Sequence, residues 1–215
     1  DNPTLARYRV YSVRHAVTPS TSPMDPRVHT LLARDSTLLA PYESPTSSML
    51  HARYVADWMD WPVADGAPYQ DVDGNKMFDP LVDVPGVRGA EQTIWYVGND
   101  MNASLTASVA GSAPIGIEMQ KTLYGASASG ALGACIVSST KIINKSGARI
   151  DSMYIAHWTD PDVGDPGDDQ IGCDTLLGLG YAYNGNPSDE TYGTAVPAVG
   201  QILLQGPIVA GSPID

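Results

Sequence analysis

Oxygen-bearing side chains stand at alternate positions in Asp71-Val72-Asp73-Gly74-Asn75-Lys76-Met77-Phe78-Asp79, with a glycine that permits a tight turn. A hard cation such as Ca²⁺ requires this kind of donor set. Asp71, Asp73 and Asn75 match positions one, three and five of an EF-hand loop. Asp79 matches position nine, and the carbonyl of Met77 supplies a further oxygen. Two departures exclude a true EF-hand: Gly74 stands at position four instead of six, and Val82 replaces the bidentate glutamate. The expectation is a shorter structural calcium loop; the alternative is an Asx-turn loop that binds nothing.

A second acidic segment reads Asp160-Pro161-Asp162-Val163-Gly164-Asp165-Pro166-Gly167-Asp168-Asp169. Five carboxylates spaced by Pro and Gly can curl around one ion, and no Lys or Arg follows Arg149 to screen them. Asp160, Asp162, Asp165, Asp168 and Asp169 are the expected ligands of a second calcium site. A solvated acidic loop is the alternative. Catalytic patterns are weaker. His15, His29, His51 and His157 are scattered without zinc spacing, no G-x-S-x-G elbow occurs, and no glycine-rich phosphate loop is present. The expectation is therefore a non-catalytic protein with no catalytic residue and no organic cofactor. Trp58, Trp61, Tyr69, Trp95, Tyr96 and Trp158 could form a sugar-stacking platform, or could anchor the core and the long loop.

The composition limits what can position these groups. The 215 residues carry 24 acids against 12 bases, a net charge of −12, with 20 Asp to 4 Glu and only 4 Lys. Scarcity of Glu and Lys, with 21 Gly and 17 Pro, counts against a helical bundle. A pI near 4.5 counts against nucleic acid as a partner. No apolar run is long enough to insert in a membrane. Cys135 and Cys173 could form one disulfide, or remain two separate thiols, with Cys135 buried in the apolar run Ala131 to Val137.

Period-two patterning predicts strands at Arg7–Arg14, Gln92–Val97, Leu105–Ala110, Ile115–Tyr124, Ala131–Asn144, Ile150–Trp158, Leu176–Tyr183 and Gln201–Val209. Ala131–Asn144 reads as a buried central strand, joined through Lys145-Ser146-Gly147 to a hairpin partner. On Ile115–Tyr124 the apolar set Ile115, Ile117, Met119 and Leu123 is expected to face inward, and Glu118, Gln120 and Thr122 outward. Val28–Leu39 suits a short helix ended by Pro41 and Pro45. The series predicts an all-β fold: a single antiparallel β-sandwich domain, residues 1–215, with long Asp-rich, calcium-stiffened loops. Residues 1–56 form its N-terminal strand and extended connection.

Within residues 57–209 a set of segments runs in order. Asp60-Trp61-Pro62-Val63 and Gly66-Ala67-Pro68-Tyr69 precede the Asp-Gly-Asn loop and Asp79-Pro80. Gln92–Val97, Pro114–Glu118, Asp151–Tyr154, Asp160–Gly164, Asp168-Asp169, Gly172–Thr175, Gly180-Tyr181, Tyr183-Asn184 and Gln205–Pro207 follow. This series resembles a module of large secreted bacterial surface proteins, similar to cargo of the type IX secretion route. The resemblance implies a secreted or cell-surface location and a chain that is part of a longer protein, which accords with a start at Asp1 without Met. The expected function is an extracellular structural or adhesive module stabilised by calcium. Its expected partners are other surface proteins, copies of itself, or glycans. The alternatives are a filament subunit joined by exchange of strand Arg7–Arg14 or Gln201–Val209, and a carbohydrate-binding or glycan-processing module.

Overall fold

The computed structural model describes residues 8–39 and 44–208. The chain divides into two compact units, Asp1–Asp151 and Ser152–Asp215. All sheets are antiparallel.

The first unit is built on a four-stranded sheet. Its strands β1 (Tyr11–Arg14), β4 (Gln92–Asn99), β5 (Ile117–Gly125) and β6 (Val137–Asn144) lie in that order. A short ladder of β2 (Tyr69–Gln70) with β3 (Val84–Pro85) closes the stem of the first acidic loop. Helix α1 (Pro26–Asp35) starts where Asp25 accepts the Arg27 N–H and Pro26 presets the first turn, and a 3₁₀ turn, Ser36–Leu39, extends it. The expected helix over Val28–Leu39 is thus present.

Helix α2 (Ser47–Met59) was not anticipated from the sequence. Its signal is Thr46 as N-cap and Leu50, Tyr54 and Trp58 repeating every fourth residue. That stripe buries against β1. Leu50 and Tyr54 join Val17, Val28, Leu31 and Leu39 in one core, while Trp58 joins Tyr11, Val13, Trp61, Ala67, Trp95 and Val97 in another. A sandwich would close this second core with another sheet; here the opposing layer is α2 with the Trp61 loop, Phe78 and Val84.

Two polar clamps fix α2 to β1. Asp57 is fully buried; it accepts the Ser12 N–H at 2.9 Å and Arg53 Nε at 3.0 Å, with Arg9 Nη2 at 3.2 Å. Burial pushes this carboxyl above its ordinary pKa, against the pull of that amide and the two guanidinium groups. Arg14, also buried, makes a two-point contact to Asp35 at 2.6 and 3.0 Å, and the Tyr54 hydroxyl donates to the same carboxylate at 2.6 Å.

Four sequence expectations are corrected. Leu105–Ala110 lies in a helix, α3 (Ala103–Ala110), because Asn102 caps the Leu105 N–H and Gly111 ends the turn in a left-handed conformation. On β5 the polar face is the inner one: Glu118 and Gln120 are buried and Met119 is exposed. Gln120 Nε2 donates to the Asp65 carbonyl at 2.6 Å and to Glu118, so hydrogen bonding, not hydrophobicity, sets which face turns inward. Ala131–Asn144 is no central strand: its start is an exposed 3₁₀ turn, and β6 is the outermost strand. Ile150–Trp158 forms no strand, and Tyr154 and Trp158 are exposed.

The second unit holds a three-stranded sheet, β7 (Asp169–Asp174), β8 (Leu179–Asn184) and β9 (Ala198–Ile202), in sequence order. Strand β9 covers only the start of the expected Gln201–Val209 strand and begins three residues earlier. Residues 203–208 lie outside any strand. Cys135 and Cys173 are both free and exposed, so Cys135 is not the buried thiol that its apolar run suggests.

The Arg14–Asp35–Tyr54 cluster makes a direct prediction. Asp35→Ala removes the acceptor of Arg14 Nε and Nη2 and of the Tyr54 hydroxyl, leaving Glu91 as the one carboxylate on this guanidinium, and should destabilise the fold by about 2–3 kcal/mol. Urea unfolding followed by tryptophan fluorescence measures it.

Candidate metal centre

The loop between β2 and β3 is held from within by carboxylates that accept its own amides. Asp71 accepts the Gly74, Asn75 and Lys76 N–H groups at 2.8, 3.2 and 2.9 Å. Gly74 and Lys76 take positive φ, which wraps the chain around that carboxylate. Asp83, 2% exposed, reaches across the base of the loop to accept the Val72 and Asp79 N–H groups, each at 2.8 Å. Edge-to-face contact of Tyr69 with Phe78, centroids 5.4 Å apart, packs the loop onto its stem. Trp58 and Trp61 pin it further, donating Nε1–H to the carbonyls of Pro80 and Pro68.

This arrangement gathers oxygen atoms of Asp71, Asp73 and Asp83 within 4.8 Å of one another. Among the described residues no Lys, Arg or His forms an ion pair with any of the three. Their negative charge is felt nearby: burial, then Asp71, Asp83 and Asp73, push the Tyr69 hydroxyl above its ordinary pKa. Two of the expected ligands are therefore together, with Asp83 as a third that spacing alone did not suggest. Its signal was its place directly before the apolar Val84-Pro85. Asp79 lies outside the triad and caps the Leu81 N–H. Asn75 is engaged by Asp73 and by the Met77 N–H, and the Met77 side chain is exposed.

The second acidic segment does not close on one point. Asp160 and Asp162 are exposed, and Asp165 caps the Gly167 N–H of a 3₁₀ turn, Pro166–Asp168. Asp169 accepts the Val163 N–H at 2.8 Å as β7 begins. Asp168 accepts from Asn184 Nδ2 at 3.0 Å and from the Asn186 N–H at 3.1 Å. The residue that organises the segment is Asp189, buried, which accepts the Asp165, Thr191 and Tyr192 N–H groups, each at 2.7 Å. Gly164 is required where it passes that carboxylate, because any Cβ would collide with it.

The other candidate groups serve the scaffold. Trp58, Trp61 and Trp95 are core residues, so they form no exposed sugar platform. His15 and His51 bond the carbonyls of Pro85 and Thr21, and His29 bonds the Ser47 hydroxyl. No helix among the described residues is long and apolar enough to cross a membrane.

Two loop-ordering carboxylates give the fold a defined response to acid. Burial works to raise the Asp100 pKa, but the amides of Ile115, Ile117 and Gly116 outweigh it and hold it below the ordinary value. The amides of Asp165 and Tyr192 lower that of Asp189 against burial, and Thr191 adds to them. A depressed folded-state pKa gives stability above the unfolded value, about 4, that is lost as pH falls through the folded value. Melting temperature should therefore fall progressively as the pH is taken below about 4. Asp100→Asn and Asp189→Asn keep one accepting oxygen and cannot titrate, so each should lower the melting temperature at neutral pH and flatten that drop.

Comparison with known protein families, with curated proteins and with solved structures finds no match to this chain, so its function must be argued from the site itself.

Proposed function

We propose that this chain is a non-catalytic, calcium-stiffened structural or adhesive module of a secreted bacterial surface protein. The observation that carries the reading is the triad of Asp71, Asp73 and Asp83, three converging carboxylates to which no cationic side chain among the described residues is paired. Clustered like charge is unfavourable unless a cation screens it, and an oxygen-only donor set suits Ca²⁺. The ion would lock a loop that is already folded back on its own amides, and so raise stability by mass action. Extracellular fluids supply calcium at the concentrations that weak sites of this kind need. The resemblance of residues 57–209 to type IX cargo modules supports the same location, and a scaffold of antiparallel sheets accords with a load-bearing role.

Assembly through strand addition is the second reading. Strand β1 is paired with β4 in its own chain, whereas β6 leaves the outer edge of the first sheet open over eight residues among the described elements. Light scattering of the purified chain separates a polymer from a monomer.

Asp73 is exposed and its contacts are local, so its removal tests the metal without disturbing the core. Millimolar calcium should raise the melting temperature of the wild type by several degrees over the chelated protein. Asp73→Ala should abolish that rise and leave the chelated melt nearly unchanged; equal shifts in both conditions would remove the metal from the account.

A further inference from the structure

The Ser152–Asp215 unit contains nine Asp and Glu residues and no Lys or Arg. Its sheet begins at one junction where three acceptor oxygens are buried without a donor. These are Oδ1 of Asp168, Oδ1 of Asp169 and Oδ1 of Asn184.

Geometry ties the three residues together. Asp169 and Asn184 are direct partners across the β7–β8 ladder, so their side chains share a face. Asn184 is 7% exposed, and its amide nitrogen faces Asp168: Nδ2 donates to Asp168 Oδ2 at 3.0 Å and to the Asn186 carbonyl at 2.8 Å. With both amide hydrogens used, the orientation of the group is fixed and its oxygen cannot be exchanged for a donor. Asp169 spends its other oxygen on the Val163 N–H, and Asp168 spends its own on Asn184 and Asn186. The Gly185 N–H closes onto the Asp168 carbonyl at 2.9 Å and holds the turn in place.

Buried acceptors without donors are rare because each forfeits its hydration. Ordered water, a side-chain donor or a cation can satisfy them; the unit has no Lys or Arg to offer, and water would leave the adjoining Asp168 and Asp169 charges unneutralised. We propose that Asp168, Asp169 and Asn184 form a cation site separate from the Asp71 triad, taking a hard divalent ion of the calcium type through two carboxylate oxygens and one amide oxygen. The choice of calcium rests on the function proposed above; the placement of the site does not. The ligands are then only partly those expected from spacing. Asp160, Asp162 and Asp165 drop out, and Asn184, fifteen residues beyond the acidic run, enters.

Calorimetric titration of the full chain with calcium chloride tests this. Asp169→Asn keeps an acceptor for the Val163 N–H and removes the charge; Asp168→Asn is the second variant should the first fail to fold by circular dichroism. The expected result is that a binding step present in the wild type weakens at least tenfold in either variant and persists in Asp73→Ala. A step lost in Asp169→Asn while Asp73→Ala titrates like the wild type supports this site and removes the triad. Folded variants that titrate like the wild type, or a wild type that binds no calcium, overturn the proposal.

Discussion

Asp57, Asp83, Asp100 and Asp189 each aim a carboxylate at main-chain N–H groups, and the order of both units rests on that contact. Asp57 ties helix to strand through Ser12; Asp83 spans the first acidic loop; Asp100 gathers three successive amides ahead of β5; Asp189 ties the second acidic segment to the turn beyond β8. Amide-to-carboxylate bonds are charge-assisted and stronger than neutral ones. Asp, with one methylene, reaches the main chain at such turns, where Glu would overshoot. The excess of 20 Asp over 4 Glu is thus largely a device for folding loops in a chain with many turns.

That device has an electrostatic consequence. Every carboxylate fixed by amides brings a full charge that amide dipoles offset only in part, and basic residues are too few to complete the task. The guanidinium groups of Arg9, Arg14 and Arg53 are committed to Asp57, Asp35 and Glu91 in the core between helix and sheet. Among the described residues no guanidinium or ammonium group pairs with Asp71, Asp73 or Asp83, and the second unit has no Lys or Arg in its sequence. Under the function proposed above, bound cations supply the missing positive charge, and loop order then depends on the ionic medium.

Sequence reasoning reached the antiparallel strands β4, β5 and β8, the helix α1 and the Asp71–Asp73 pair, because these rest on local period, capping and spacing. It failed where a distant partner decides. The inner face of β5 is polar because Asp65 and Glu118 receive Gln120. Leu105–Ala110 is helical because Asn102 and Gly111 cap it against a weak apolar alternation. Asp83, Asn184 and Asp189 lie 11, 16 and 24 residues from Val72, Asp168 and Asp165, which they bind, so no short motif could include them. Three tryptophans that resemble a surface platform on paper are consumed by the core, since no other side chains are large enough to fill the space between α2 and the sheet.

The central claim, that these carboxylates fold the loops and leave oxygen over for a cation, is tested most directly by a crystal structure grown in millimolar calcium, with diffraction collected at a wavelength where calcium scatters anomalously. The account predicts an anomalous peak between Asp71, Asp73 and Asp83, with metal–oxygen distances of about 2.3–2.6 Å, while Asp83 still accepts the Val72 and Asp79 amides. Ordered water among those carboxylates, with no anomalous density, would contradict it.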